Sequence, residues 1–292
     1  MIGDLNYISP YMLGVAQGMR FLGHEHYQVT FRESIQSIHD KVNMLVPDII
    51  WTHMLLWPSE PGIKQGLIDL CTKWKKRGTR VILHDGDAKI ACRHPQDISD
   101  FVDIALCNHV CDRSAWKVDC LNWPYFAFNQ NSIADKISKY ECDLAFAGTL
   151  ASDGVYNERT DLVNSLIASG IKFKVFGREN NTLTDTPALA ASATSVLGFG
   201  RREIPGWTDV RVFQYPGAGG VLIHDHAEHW LTPHEHYIPY TKGNIDSIKL
   251  AVEESKKYGS FIRKSAFEFV QKNHSSTVRC LEVLTRLGLI HD

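Results

Sequence analysis

Residues 209–225 read DVRVFQYPGAGGVLIHD, and the rest of the chain is organised around them. Val210, Phe213 and Gln214 fall at helical spacing, Thr208 stands ahead of them as an N-cap, and Pro216 with Gly217 stops the turn. After Gly217, Gly219 and Gly220, the apolar run Val221-Leu222-Ile223 has strand length and ends at His224 and Asp225. The order is therefore helix, tight glycine turn, buried strand. In an α/β domain such a helix start offers unpaired N–H groups and the positive end of a dipole. Arg211 adds a fixed cation one turn in, a combination suited to a diphosphate.

The same alternation extends on both sides. Ser9-Pro10 starts a helix over Tyr11–Leu22, Tyr27–Phe31 alternates as a strand, Ile35–Leu45 is a helix, and Asp48–Thr52 is a strand. Ile63–Lys76, Arg80–Leu83 and Val102–Cys107 continue as helix, strand and strand. Asp143–Ala147, Glu158–Ser169, Lys172–Phe176 and Ser195–Gly198 then repeat the pattern, and helices follow over Ser247–Tyr258, Phe261–Lys272 and Ser276–Leu287. Strands alternating with helices of this length predict parallel βαβ units, hence an α/β fold of two Rossmann-like domains. The polar stretch Asn129–Lys139 reads as the linker, which divides the chain into 1–135, 136–275 and a terminal helix in 276–292.

A chain of 292 residues suits two domains, and 44% hydrophobic with 22% charged residues is the composition of a soluble globular protein. No run approaches the roughly 18 apolar residues that cross a bilayer, and no signal peptide is evident, so the expectation is a cytoplasmic protein with no membrane span. Seven cysteines at irregular spacing fit reduced thiols better than a disulfide framework. A net charge of −2 gives no global pull toward nucleic acid. Two local basic clusters stand out, one at Lys73, Lys75, Lys76, Arg77 and Arg80, the other at Lys256, Lys257, Arg263 and Lys264.

The pattern R-x-F-[EQ]-x-x-[AG]-x-G-G at 211–220, followed by an apolar strand and an acidic residue, resembles the C-terminal signature of the group 1 glycosyltransferases, in particular their CgeB-like (spore-maturation) branch. The segment YIPY at 237–240, the helix after Asp246, and Asn273-His274 with Arg279 resemble that branch in the same order. The resemblance covers the last half of the chain well and the first half by pattern. It implies the GT-B plan, two Rossmann-like domains facing across a cleft with the last helix crossing back to the first. It also implies retaining transfer from a nucleotide-sugar. The donor, a UDP- or GDP-sugar, is then the ligand of the second domain, with no cofactor required.

A ligand of an open parallel sheet sits beyond the carboxyl ends of its strands. In the second domain those ends carry Gly148-Thr149, Gly177-Arg178 and Gly198-Phe199-Gly200-Arg201, with Arg211 on the following helix. Glycine lets the backbone approach a phosphate and arginine meets it with paired donors. The same residues also read as ordinary strand-to-helix turns with surface arginines. By resemblance, Arg159 matches the place of a cation. Gln214 stands where the family has a glutamate that bonds the ribose, and Gly206 stands where the first glutamate of the pair is expected. In the first domain Asp85 and Asp87 follow the strand 80–83 and are candidates for the base that takes the acceptor proton in inverting transfer. In retaining transfer Asp85 only orients the acceptor, and a capped Asp-Gly turn explains both without catalysis.

Cys92, His94, Cys107, His109, Cys111 and Cys120 lie close in sequence, as do His224, His226, His229, His234 and His236. No C-x-x-C pair is present and Cys107 falls in an apolar strand, so buried thiols and surface histidines are expected rather than a metal. The acceptor is open: a glycan, a small molecule, or hydroxylated pyrimidines of DNA as in bacteriophage DNA modification. A non-catalytic nucleotide-binding protein of the same fold is the alternative from another class.

Overall fold

The structure, a computed structural model, describes residues 10–27, 29, 33–53, 61–85, 97–108, 114–148, 150, 157–177, 185–199 and 208–290. They form two compact units, one of residues up to Pro124 together with Arg279 onward, the other from Tyr125 to Val278.

The first unit opens with α1 (Pro10–Phe21) and α2 (Ile35–Leu45), followed by β1 (Ile49–His53), α3 (Pro61–Lys75), β2 (Arg80–Asp85), β3 (Ile104–Cys107) and β4 (Asp119–Asn122). The Ser34 hydroxyl caps α2 by accepting the N–H of Ser37, and Val46 ends it in the left-handed region at φ 46°. The four strands pair in the order β1-β2-β3-β4, all parallel. Parallel strands are covered on both faces, which is why β2 and β3 are buried nearly end to end. Leu70, Trp74, Val81, Leu83, Val102 and Ala105 share the core beneath α3.

The second unit runs β5 (Leu144–Ala147), α4 (Asn157–Ala168), β6 (Phe173–Phe176), α5 (Thr186–Ser192), β7 (Ser195–Leu197), α6 (Arg211–Gly217), β8 (Leu222–His224), β9 (Ile238–Pro239) and α7 (Ile245–His274), and α8 (Ser276–Arg286) then leads into the first unit. Its strand order is β6-β5-β7-β8-β9, again all parallel. The chain builds outward from β5 to β6, returns to β7 on the other side, and continues to β8 and β9. The order therefore reverses between β5 and β7, the switch point of a doubly wound sheet.

Several expectations are revised. The two helices expected over Ser247–Tyr258 and Phe261–Lys272 are one helix of 30 residues, α7. Gly259 does not interrupt it, and the glycine packs by Val221, where an added Cβ would stand 3.4 Å away. Of the expected stop at Pro216 and Gly217, Pro216 lies inside α6 and Gly217 ends it. The polar stretch Asn129–Lys139 is bound to the second unit: Asn129 bonds Thr277 at 2.6 Å, Gln130 N–H donates to Gln271, and Ile137 N–H donates to the Ser192 hydroxyl at 2.8 Å. Polarity there marks a surface segment whose side chains meet the unit's own backbone and amides. Of the expected strand Tyr27–Phe31, residues 28, 30 and 31 lie outside the described residues.

From Arg279 onward α8 packs within the first unit. The Trp123 indole donates to the Arg279 carbonyl at 3.2 Å, and Arg286 forms a forked pair with Asp119 at 2.5 and 3.2 Å. That hydrogen bond to Arg286 holds the Asp119 carboxyl below its ordinary value, against the opposing effect of burial. A depressed carboxylate contributes stability above the unfolded-state pKa and loses it as pH falls through the folded value. The pair is half exposed, so its contribution is only about 0.2–1 kcal/mol. Acid titration of Asp119→Asn is expected to show a shallower loss of stability than wild type below pH ~5; parallel curves would remove the pair from the balance.

Candidate functional site at the second sheet's carboxyl edge

At the switch point Gly148 follows β5 and Gly198 follows β7. Gly148 N–H donates to Phe176 O at 2.8 Å, and Gly198 N–H donates to Ile223 O at 2.9 Å. A Cβ at Gly177 would stand 2.6 Å from the Gly148 carbonyl oxygen, so the ends of β5 and β6 approach as only glycine allows. A Cβ at Gly148 would collide with Nη2 of Arg211. That glycine therefore makes room for the arginine.

All three nitrogens of Arg211 donate within the protein. Nε and Nη2 bond the Ala147 carbonyl at 3.0 and 2.8 Å, and Nη1 bonds Asp209 Oδ2 at 2.7 Å. The side chain of Arg211 is 13% exposed and that of Asp209 2%. Asp209 Oδ1 also accepts the N–H of Arg211 at 2.7 Å, so the aspartate, not Thr208, caps α6. Thr208 instead accepts the Trp230 indole N–H at 2.8 Å. Burial alone would favour loss of the Arg211 proton. The neighbouring Asp209 outweighs it and, with the buried Tyr215 phenol, pushes Arg211 above its ordinary value. The cation at the helix start is thus neutralised in place and braces the last carbonyl of β5.

Arg159, on the first turn of α4, stands over two aromatic faces, 5.9 Å from the Phe146 ring and 5.6 Å from Phe199. Arg211 lies 5.3 Å from the same Phe146 ring, and Phe146 meets Phe199 edge to face at 5.1 Å. The two arginines are therefore gathered around one phenylalanine between β5 and β7. Gln214 is half-buried on α6. His224 at the end of β8 and Asp225 after it are buried, as is Tyr240 past β9, whose hydroxyl donates to Gly198 O at 3.3 Å.

Gly148, Arg159, Gly177, Arg211 and Gln214 thus all belong to the second unit, the first four at or beside the ends of β5 to β7. Thr149, Arg178, Arg201 and Asp87 lie outside the described residues. Asp85 belongs to the first unit, where it ends β2 at 5% exposure beside Cys107 of β3. Asp209 and Tyr215 were not singled out from sequence. The D-x-R spacing at 209–211 is the signal that could have found Asp209, because it places a carboxylate where it can both cap a helix and pair the arginine. The aromatic pair Phe146 and Phe199 had no local signal.

The histidines are not uniformly on the surface: His224 is 0% and His236 5% exposed. His236 Nδ1 accepts the Thr232 N–H at 3.1 Å, while His226 pairs with Glu228 at 2.8 Å and His234 with Glu254 at 2.7 Å. Among the described residues no group of three histidines, cysteines or carboxylates is placed to hold a metal ion, and no helix is long and apolar enough to cross a membrane. Cys92, His94, His109 and Cys111 lie outside them.

Members of each basic cluster meet acids at the amino ends of strands in their own unit. Lys75 and Arg80 meet Asp103 near the amino end of β2, at 3.4 and 3.6 Å, and Lys256 reaches Asp143 at the amino end of β5 at 3.3 Å. Within the first unit a cavity of about 390 Å3 lies along β1 between α1 and α2, lined by Val15, Val42 and Trp51 among others.

Residues 159–285 match a family described as glycosyl transferase-like. No curated protein matches the chain in sequence. Among solved structures it is similar to the lipopolysaccharide outer core galactosyltransferase WaaB in its apo form, at 9% identity and a TM-score of 0.56 over 98% of both chains. It is similar also to a putative UDP-N-acetylglucosamine 2-epimerase from Listeria monocytogenes, at 7% identity and 0.53 over 98% of this chain and 95% of that one. For an alpha1,3-fucosyltransferase the figures are 8%, 0.50, 98% and 88%. These likenesses establish the fold, an α/β architecture of two Rossmann-like domains of the GT-B kind. The family match adds that the carboxy-terminal segment is glycosyl transferase-like in sequence, over less than half of the chain.

Proposed function

We propose that the protein moves a sugar from a nucleotide-sugar donor to an acceptor hydroxyl, with the second unit holding the donor at the β5/β7 switch point. The observation that carries this reading is the pair of glycine ends, Gly148 and Gly198, at the place where a doubly wound sheet takes a ligand, inside or beside the glycosyl transferase-like segment. Gly148 and Gly177 bring backbone to the diphosphate, and Arg159 supplies charge as the bond from the anomeric carbon to the phosphate oxygen breaks. Arg211 acts from behind, by fixing Ala147 and Gly148. Gln214 accepts from a ribose hydroxyl without the charge assistance of a glutamate. Asp85 orients the acceptor, whose oxygen forms the new bond to the anomeric carbon. Retention of configuration and independence of metal are parts of this reading, drawn from the group 1 resemblance.

The acceptor is a glycan or small molecule rather than duplex DNA, since the basic clusters near β2 and β5 sit at the amino ends of their strands and are partly paired with acids. The test is a panel of UDP- and GDP-sugars, read by thermal shift and by release of free nucleotide. A donor at 100 times its Kd is expected to stabilise the protein by about 2.7 kcal/mol. No shift and no release with any donor would sink the reading, and a shift without release would favour the non-catalytic alternative.

A further inference from the structure

His224 ends β8 at the carboxyl edge of the second sheet and is fully buried. Its Nδ1 accepts the backbone N–H of His226 at 2.9 Å, so that nitrogen carries no proton. Asp225 Oδ1 stands 3.5 Å from the same nitrogen, too far to compete. Burial keeps the ring's pKa below the ordinary imidazole value, against the pull of Asp225, and the ring is neutral near pH 7. Its one proton therefore sits on Nε2. That atom is buried and has no hydrogen-bond partner among the described residues.

The orphaned N–H is placed at the ligand edge of the sheet. Nε2 would stand 3.2 Å from a Cβ at residue 198, and Cδ2 would collide with it. Glycine at 198 thus leaves room for the ring at the end of β7, one side of the switch point. A buried donor with no acceptor costs free energy in the folded protein, and native structures rarely tolerate one without a water, an ion or a task at that spot. Arg211 nearby is already matched by Asp209, so His224 is a neutral donor beside a neutralised pair.

We propose that the Nε2–H of His224 is a binding donor for an oxygen atom of the nucleotide-sugar, engaged when the substrate opens the approach between the imidazole and Gly198. The inference rests on the nucleotide-sugar reading above and names a residue that reading does not use. Binding exchanges an unsatisfied N–H for a hydrogen bond, so the residue favours the occupied site over the empty one.

Two substitutions separate this role from a structural one. His224→Asn keeps an acceptor near the position of Nδ1 and removes the donor at Nε2, whereas His224→Gln places an amide donor near Nε2 and loses the acceptor for His226. The unliganded Asn variant is expected to unfold at the higher temperature of the two, because it retains the bond to His226. Binding is expected to follow the opposite order. Titrated with UDP, GDP, UDP-glucose and GDP-fucose, the Asn variant should bind about tenfold more weakly than wild type, ~1.4 kcal/mol, while the Gln variant stays near wild type. Weakening shared by the free nucleotide and its conjugate places the contact on the nucleotide, and weakening of the conjugate alone places it on the sugar. In the unaltered protein the imidazole N–H resonance of His224 should move when the donor is added, a readout that needs no folded variant. Donor binding by wild type with an unmoved resonance, or with affinities that follow stability across the variants, overturns the inference and leaves the transferase reading intact. Absence of any donor binding by wild type overturns both.

Discussion

Replacing Arg211 by methionine is expected to lower the unfolding free energy by about 3–5 kcal/mol, the usual consequence of removing one member of a buried charge pair. Asp209 would keep a carboxylate with a 2% exposed side chain and lose its guanidinium, and the Ala147 carbonyl would lose two donors. The sequence reads Arg211 as a cation suited to a diphosphate, whereas in the fold its three nitrogens are already bonded within the protein. Activity would be lost through folding and through release of the β5 end. The double variant Asp209→Asn with Arg211→Met is expected to recover part of the deficit, since no uncompensated charge remains. Urea unfolding of the single and double variants checks both statements. A single variant as stable as wild type would show that Arg211 is free to serve a ligand after all.

The second large effect is expected at Arg263 on α7. Its Nη1 donates to the carbonyls of Ala190 at 2.9 Å and Ala191 at 3.3 Å and also to that of Gly219, and its Nη2 donates to Ala193 O at 3.1 Å. Ala190 and Ala191 are in the last turn of α5, whose final carbonyls have no partner within the helix. One planar fork therefore gathers the end of α5 and the turn after α6 onto the long helix. Burial makes the charged form costly and pulls the arginine below its ordinary value, so the site holds it through charge-assisted bonds rather than an acid partner. Arg263→Met is expected to cost about 2–4 kcal/mol, and Arg263→Lys to recover only part, because one ammonium cannot reach carbonyls spread around a fork. Thermal melts decide it. Equal stability of Lys and Arg would mean that charge alone, without the fork geometry, suffices.

Both residues stood out from sequence as cations, one assigned to a ligand and one to a basic face, and in both the tertiary structure turned the charge inward. Composition cannot foresee that, because apart from Asp209 the acceptors are backbone carbonyls 44 to 73 residues away. The histidines show the same limit. A run of HDHAEH looks exposed and polar, yet β8 carries His224 into the interior because Val221 leads into the strand, Leu222 and Ile223 precede the histidine in it, and they join the cores on both faces.

Local signals carried much of the plan. Periodicity and glycine punctuation located most of the described elements, and the alternation of strand and helix sufficed for a parallel α/β fold, because each βαβ step leaves few other ways to bury its apolar faces. The stretch 209–225 placed a helix, a tight turn and a core strand correctly, with the helix ending at Gly217, one residue past Pro216. Short elements escaped, as with β4, α5 and β9, whose few residues hold no full period of either pattern. What the chain's own order determined was which glycines end which strands. What only the folded sheets decided was strand order, and with it the reversal between β5 and β7 that makes Gly148 and Gly198 neighbours of one site. Strand order depends on contacts between segments far apart in the chain, and a local pattern of apolar residues is the same whichever strand lies alongside.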